Sequence, residues 1–489
     1  MRSIAVVGGG FGGVGAAAML TRAGYEDVTV FERADRIGGV WHHNTYPGAA
    51  CDVPSHLYEF SFAPNPRWSR RYAPQEEIQA YLERVARQEG VRERVRTGVE
   101  VKAARWEEGR CRWELQTDAG THVADVLVSA CGQLSVPAVP PLPGGEQFAG
   151  PVFHTARWRH DVDLSGRRVA VIGTGASAIQ VVPAIAPAVA QLDVYQRSPG
   201  WTLPKTDFAY SEATKRMFAR LPALQRLDRA SIFAFHELGA LAMTSQPWLL
   251  PAFRALARRQ INRTVADPEL RRKVTPRDEV GCKRVMLTDE WYPTLSRPGV
   301  ELIDDPIQEI TSTGIRAGAV ERPAEAIVLA TGFATHGFVA PMEITGAAGR
   351  ALAQEWAEVP RAYLGLTVPD FPNLFLLYGP NTNGGTGSVI YTLEAGINHV
   401  IAGLRALERT GTDRIEVRRA AAERFDGELR AKLGETVWHS GCTNWYLDEH
   451  GNDPNQWPWT WSRYRHRTAT ISPQAYELSA SRSPVAALR

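Results

Sequence analysis

Two glycine-rich turns constrain this chain more than any other feature of it. The first, Gly8-Gly9-Gly10-Phe11-Gly12-Gly13, follows the apolar run Ile4 to Val7. The second, Gly173-Thr174-Gly175-Ala176-Ser177-Ala178, follows Arg168-Val169-Ala170-Val171-Ile172. Apolar run, glycine turn and small-residue stretch spell strand, tight turn and helix. This is the opening of a βαβ unit whose helix N-terminus receives a pyrophosphate. Each turn leads, 24 positions after its first glycine, to a charged residue: Glu32 in one case and Arg197 in the other. A carboxylate at the tip of the second strand accepts hydrogen bonds from ribose hydroxyls, whereas a guanidinium there pairs with a 2′-phosphate. The chain is therefore expected to hold two dinucleotides, the second of them NADP(H).

In the first turn Gly8 permits the tight reversal, Gly10 lets the pyrophosphate approach and Gly13 allows close helix–strand packing. Gly173, Thr174, Gly175, Ser177 and Ala178 take the corresponding places in the second. A lone G-x-G-x-x-G is weak evidence, but here each has a strand before it, a helix after it and a charged residue at the right distance. Gly38-Gly39-Val40-Trp41 follows Glu32 closely. A glycine pair lets backbone come close to a ligand. A nicotinamide site does not usually need this so near the ribose acid, which favours FAD at the first turn.

The 489 residues allow two or three domains, and 44% hydrophobic with 22% charged residues is ordinary globular composition. A net charge of +2 gives no reason to expect a nucleic-acid partner. The predicted fold is α/β: two Rossmann-like dinucleotide-binding domains, the NADP domain inserted into a discontinuous FAD domain, with a helical subregion. The expected divisions are residues 1–145 for the first part of the FAD domain and 146–330 for the NADP domain. The latter includes a helix-rich stretch at about 211–273, and 331–489 forms the return to the FAD domain and a C-terminal tail. A Pro-rich run from Val136 to Pro143 reads as the linker. Helix Ala178 to Ala186 contains Pro183, so a kink or early stop is expected.

Cys51, Cys111, Cys131, Cys282 and Cys442 form no C-x-x-C pair, which argues against a dithiol redox centre and against a zinc knuckle; no metal site is expected. Such scattered cysteines are expected to be reduced thiols in a cytoplasmic protein. The apolar stretch Leu238 to Met243 is too short to span a bilayer; contact with a membrane surface is one reading, and a buried or channel-lining helix is the favoured one. Trp457-Pro458-Trp459-Thr460-Trp461 reads as a surface-packed tail.

Between the two glycine turns runs Phe148-Ala149-Gly150-Pro151-Val152-Phe153-His154-Thr155-Ala156-Arg157-Trp158. It resembles the F-x-G-x-x-x-H-x-x-x-W fingerprint of type I Baeyer–Villiger monooxygenases, which belong to the class B flavin monooxygenases. The family has Pro or Asp next, and this chain has Arg159 instead. Further likeness extends from about Ile4 to Tyr446. Gly38-Gly39-Val40-Trp41, Tyr46-Pro47-Gly48 and Asp52 resemble the flavin-side segment, and Gln196 to Trp201 resembles the NADP phosphate segment. Gly281-Cys282-Lys283-Arg284 is similar to the active-site Lys-Arg segment, Gly379 to Asn383 to the loop returning to the flavin, and Thr443-Asn444-Trp445-Tyr446 to the segment closing over the nicotinamide end.

The resemblance implies an NADPH- and O2-dependent conversion of a ketone to an ester or lactone through a flavin C4a-peroxide. It implies FAD on Gly8, Gly10, Phe11, Gly13, Glu32, Gly39, Val40, Trp41, Asp52 and Asn381, with Tyr58 and Val101 placed by position only. NADP is implied on the second turn with Arg197, Ser198, Lys283 and Trp445. Arg284 is implied as the catalytic cation and Asp52 as its partner. Phe148, Gly150, His154 and Trp158 are implied as fingerprint residues, His154 being structural rather than a general base. From the residues alone, Asp52 reads as a loop turn-former and Lys283-Arg284 as a solvated basic pair. The alternatives are an N- or S-oxygenating flavin monooxygenase, an NADPH oxidase or flavin reductase, and a non-catalytic dinucleotide sensor.

Overall fold

The computed structural model describes residues 2–480. Two five-stranded, wholly parallel sheets dominate it, each built around one glycine turn. The first runs Leu374–Leu376, Val126–Ser129, Ile4–Val7, Val28–Glu32, Val95–Thr97. The second runs Val152–His154, Ala326–Leu329, Arg168–Ile172, Gln191–Tyr195, Val300–Ile303. The two orders correspond strand for strand. In each, the central strand leads into the glycine turn. Ile4 to Val7 are all buried, as are Val169 to Ile172, which is why these strands read as continuous apolar runs rather than alternating ones.

The same steric constraint produces both turns. Gly8 has φ +110° and Gly173 has φ +114°. A Cβ on Gly8 would lie 2.5 Å from the carbonyl oxygen of Ala130, and one on Gly173 would lie 2.4 Å from that of Ala330. Ala130 and Ala330 each follow the neighbouring strand. Helix Phe11–Arg22 leaves the first turn and helix Ala178–Ile185 the second. The second continues two residues beyond Pro183 and then stops.

Counted from the strand that leads into its glycine turn, each unit also inserts an antiparallel meander between its third and fourth strands. In the first it is Val101–Glu107, Arg112–Thr117 and Gly120–Ala124; in the second, Ile307–Ile310, Gly314–Ala317 and Val320–Pro323. The first sheet gains its edge strand Leu374–Leu376 only after the second sheet is complete. Helices Glu212–Arg220, Pro222–Thr244, Leu250–Thr264 and Pro268–Val274 fill the span between the second and third strands of the second unit. Helix Val389–Thr410 packs on helix Phe11–Arg22 and closes the core of the first unit.

Three expectations need correcting. Trp457, Trp459 and Trp461 are not a surface-packed tail: they are 1%, 7% and 5% exposed and form a core with Phe425, Trp438 and Tyr464. Aromatic area of this size is worth more buried than wet, and the helix Trp461–Thr468 supplies the backing. Cys282 and Cys442 are joined by a disulfide, so the thiols are not all free; the fold brings together residues 160 positions apart that carry no spacing signal. Leu238 is 45% exposed, so the stretch to Met243 is not wholly buried, although Ala240 and Met243 line a cleft. No helix among the described residues is long and apolar enough to cross a membrane. The end of the expected C-terminal tail, residues 481–489, lies outside the described residues.

Candidate active site

At the first turn, Glu32 ends its strand 7% exposed. One carboxylate oxygen accepts from the Gly9 N–H at 2.6 Å and the other from the Ala34 N–H at 2.8 Å. The acid is thereby fixed beside the turn. Helix Phe11–Arg22 begins at Gly10 with no side-chain cap and no acid in its first turn, which leaves its first N–H groups and partial positive charge for an anion. A Cβ on Gly13 would fall 1.8 Å from the carbonyl oxygen of Gly8, so no side chain fits there. Gly39, at φ +57°, would place a Cβ 3.0 Å from the Gly10 Cα, and the Gly38 N–H donates to the Gly9 carbonyl at 3.0 Å. The glycine pair thus packs first against the protein's own turn. Val40 and Trp41 follow it, half-buried, and the Trp41 indole donates to the Tyr58 hydroxyl at 3.0 Å. Phe11 meets Tyr58 edge to face.

Val101 opens the first antiparallel meander and is 4% exposed. Asn381 is 5% exposed and adopts φ +56°. Its amide donates to the carbonyls of Asp453 and Gln456 at 2.7 and 3.2 Å, so its side chain holds the 453–456 loop.

The second turn is more open. A Cβ on Gly175 would meet nothing within 4 Å, Thr174 and Ser177 are half-buried and Ala178 is buried. Ser177 starts the helix without a side-chain cap. Arg197 and Ser198 are exposed just beyond the strand Gln191–Tyr195, and Arg197 makes no ion pair among the described residues. Lys283 Nζ donates to Ser198 Oγ at 3.0 Å and pairs with Asp278 at 2.7 Å. Lys283 is thus bonded to the residue that follows Arg197 in the chain. The strand pair Thr202–Leu203 with Met286–Leu287 and the bond from the Trp201 indole to the Asp278 carbonyl hold this segment against the Lys-Arg segment. Trp445 is 38% exposed, and its carbonyl accepts from the Thr335 hydroxyl at 3.5 Å.

Arg284 reaches Asp52. Nη2 and Nε lie 2.7 and 3.3 Å from the same carboxylate oxygen, with 31% and 27% of the two side chains exposed. The charge of Asp52 holds the guanidinium well above its ordinary pKa against the opposing effect of burial. Burial alone would push the Asp52 carboxyl up, but Arg284 more than offsets it, leaving the carboxyl below its usual range. Asp52 sits in the loop beyond Tyr46 and Gly48. The Tyr46 hydroxyl donates to Gln180 at 2.8 Å, and the Gln180 amide donates to the Ala50 carbonyl at 2.9 Å. The pair therefore joins one unit to the other.

The fingerprint lies on the edge strand of the second sheet. A Cβ on Gly150 would strike the Glu325 carbonyl at 2.6 Å and the Phe148 ring at 2.7 Å, so the Phe-x-Gly spacing is a packing requirement. His154 is 5% exposed; Nδ1 accepts from the Ala156 N–H at 3.0 Å, and burial lowers its pKa, so it stays neutral. Trp158 packs edge to face on Phe153. Arg159 pairs with Asp161 at the surface, 2.7 Å from Nε.

Sequence reasoning did not single out Tyr378, whose phenol and that of Tyr446 lie in the field of Arg284. Burial pushes the Tyr378 phenol up to about 12, so it stays protonated. Nor did it find the cleft lined by Met243, Gly385, Thr386, Trp438 and Trp461. Gly281 packs against Met243 and Val437 at that cleft's side. Asp453 Oδ2 and Asn455 Oδ1 are buried with no hydrogen-bond partner among the described residues, beside the facing Tyr446 and Gln456 side chains. Buried polar atoms are rarely left so, and this group fits a polar ligand lying over the 446–456 segment. Together with the uncapped helix starts and the glycine cradles, the residues present fit two bound dinucleotides. A polar cavity of about 580 Å³ lined by Glu108, Asp370, Arg414 and Arg419 shares no residue with this site.

Residues 5–228 match the pyridine nucleotide-disulphide oxidoreductase family. A Baeyer–Villiger monooxygenase of Streptomyces coelicolor is 43% identical over 478 residues, covering 97% of this chain and 92% of the relative. One of Pseudomonas aeruginosa is 42% identical over 490 residues, covering 99% and 92%. Among solved structures, oxidised steroid monooxygenase bound to NADP superposes with a TM-score of 0.87 at 33% identity, covering 98% of this chain and 99% of that one. Cyclohexanone monooxygenase from Rhodococcus sp. Phi1 bound to NADP+ gives 0.87 at 28% identity and the same coverage. The OTEMO complex with FAD and NADP gives 0.86 at 28%, again covering 98% and 99%. With near-complete coverage at this identity, and with the glycine turns, the fingerprint and the Asp52–Arg284 pair all present, this chain belongs to the Baeyer–Villiger monooxygenase family.

Proposed function

We propose that the chain is an FAD-dependent enzyme that uses NADPH and O2 to convert a ketone to an ester or lactone. Bound flavin would supply the redox chemistry that couples oxidation of NADPH to activation of O2. The protein supplies position and field. Gly8, Gly10, Gly13 and the start of helix Phe11–Arg22 cradle the FAD pyrophosphate, and Glu32 takes its ribose. Arg197, Ser198 and Lys283 take the 2′-phosphate of NADP on the second turn, and Trp445 borders the nicotinamide end. In this assignment residues 1–145 and 331–489 form the FAD domain around an NADP domain at 146–330. A cytoplasmic site of action, where NADPH is renewed, belongs to the same reading.

The observation that carries the reading is the Arg284–Asp52 pair. Oxygen insertion next to a carbonyl requires a nucleophilic oxygen to remain anionic while it attacks carbon. A guanidinium beside it stabilises that negative charge and, held above its ordinary pKa, cannot serve as a proton source. Asp52 orients Arg284 and offsets its charge before the ketone arrives. Met243 and Trp438 line a narrow crevice of about 10 Å³ beside the Gly281–Arg284 segment. The test is Arg284→Ala. Flavin content and anaerobic reduction by NADPH are expected to persist, while ester formation falls on the order of 10²–10³-fold. Ester formation at the normal rate would remove Arg284 from this role. A sulfide offered in parallel separates ketone insertion from heteroatom oxygenation as the main activity.

A further inference from the structure

The long helix Pro222–Thr244 is apolar on two sides. Its protein-facing side buries Ile232, Ala240 and Ala242 and is fixed by polar contacts. Gln225 donates to Glu59 at 2.9 Å, and Arg229 donates to the carbonyls of His56 and Glu59 at 2.9 and 3.0 Å. Asp228 pairs with His56 at 2.7 Å, and Glu237 accepts from the Trp461 N–H at 2.7 Å. Its outward side carries Leu224, Leu227, Ala230, Ala234, Phe235 and Leu238, all exposed, with Leu227 at 67% and Phe235 at 62%. On the short turn Pro247–Leu249, packed against the same helix, Trp248 is 72% exposed. A surface helix ordinarily turns its apolar stripe to the core. A contiguous outward apolar face marks contact with something beyond the chain.

Charge indicates what that is. Residues 211–264 carry nine Lys and Arg against three Asp and Glu, in a chain whose net charge is only +2. Arg220, Arg226, Arg258 and Arg259 are exposed and make no ion pair among the described residues. An in-plane apolar stripe, an exposed tryptophan and unpaired arginines together match the interface of an anionic bilayer. A second copy of the chain would instead oppose two cationic faces. We propose that this helix and the Trp248 turn dock the enzyme on an anionic lipid surface. The inner side of the same helix reaches the cleft through Met243 and through His236, which bonds Thr386 at 2.6 Å. The bilayer then lies one helix away from that cleft.

The test is sedimentation of the FAD-loaded enzyme with vesicles of phosphatidylcholine containing phosphatidylglycerol, against phosphatidylcholine alone. Binding is expected to the anionic vesicles only, and to weaken with salt. The double variant Leu227→Gln/Phe235→Gln, at exposed positions, is expected to bind more than about tenfold more weakly. Arg226→Gln/Arg258→Gln/Arg259→Gln is expected to bind comparably weakly. Both should keep their flavin and full turnover of a water-soluble ketone. Wild-type protein left in the supernatant with both vesicles overturns the proposal, as do variants that bind undiminished. So does a dimer in sedimentation velocity that the Leu227/Phe235 variant dissociates without any vesicle binding, since the face would then be a seam between two copies.

Discussion

At the scale of the residue, Arg197 has no ion-pair partner among the described residues, and Lys283 and Ser198 stand bonded to each other in the segments beside it. A cation left without an ion pair is available to an anion. Arg197→Ala is expected to lower kcat/KM for NADPH roughly tenfold to hundredfold, the worth of one charged hydrogen-bonded contact, with little change for NADH. Equal losses with both coenzymes would contradict a 2′-phosphate contact. Arg197 was legible because its distance from the turn is a local rule of the strand–helix–strand unit. Asp52 and Arg284 were not legible in that way, because 232 positions separate them and neither has a local signature. Only a resemblance covering both segments named them together. Tyr378 lay beyond reach altogether, since its proximity to Arg284 is created by loops from three parts of the chain.

At the scale of the element, the glycines of the two turns are bound by different constraints. Gly13 has no space for a Cβ, 1.8 Å from the Gly8 oxygen, whereas Gly175 faces open space. Gly13→Ala is expected to deform the turn, shed flavin and lower the melting temperature. Gly175→Ala should fold with flavin bound and lose only NADPH affinity. Flavin absorbance, thermal melts and NADPH titration check the pair, and a Gly13→Ala protein that keeps its flavin and stability would contradict the steric account. Strands beside these turns were legible because burial on both faces writes them as unbroken apolar runs. The antiparallel meanders, which alternate and are half wet, were not recognised as matching insertions. The tryptophan run 457–461 was misjudged because composition cannot say which side of a chain's last turns a core will occupy.

At the scale of the whole molecule, two buried histidines tie late elements to the rest. His399 on helix Val389–Thr410 bonds the Thr468 carbonyl at 2.9 Å and the Tyr476 hydroxyl at 2.7 Å. His236 bonds Thr386 and accepts from the Gly387 N–H at 3.1 Å. Burial lowers both to about 4 from an ordinary 6.5. The unfolded chain takes up these protons first, so stability is full above about pH 6.5 and is lost as pH falls toward 4. The loss reaches about 1.4 kcal/mol per pH unit for each histidine. His399→Gln is expected to flatten the acid side of a melting-temperature profile, and an unchanged slope would refute the assignment. The doubled architecture was legible from the two turns, but the closing of the first sheet by Leu374–Leu376 was not, since a three-residue strand carries too short a pattern. Because Arg284 is delivered by one sheet's surroundings and Asp52 by the other's, the reactive centre proposed for them would have no owner. Any slippage between the halves larger than a hydrogen bond can stretch dismantles it, so the enzyme is competent only while its two lobes are clasped, and the carboxylate–guanidinium contact is itself the gauge of that clasp.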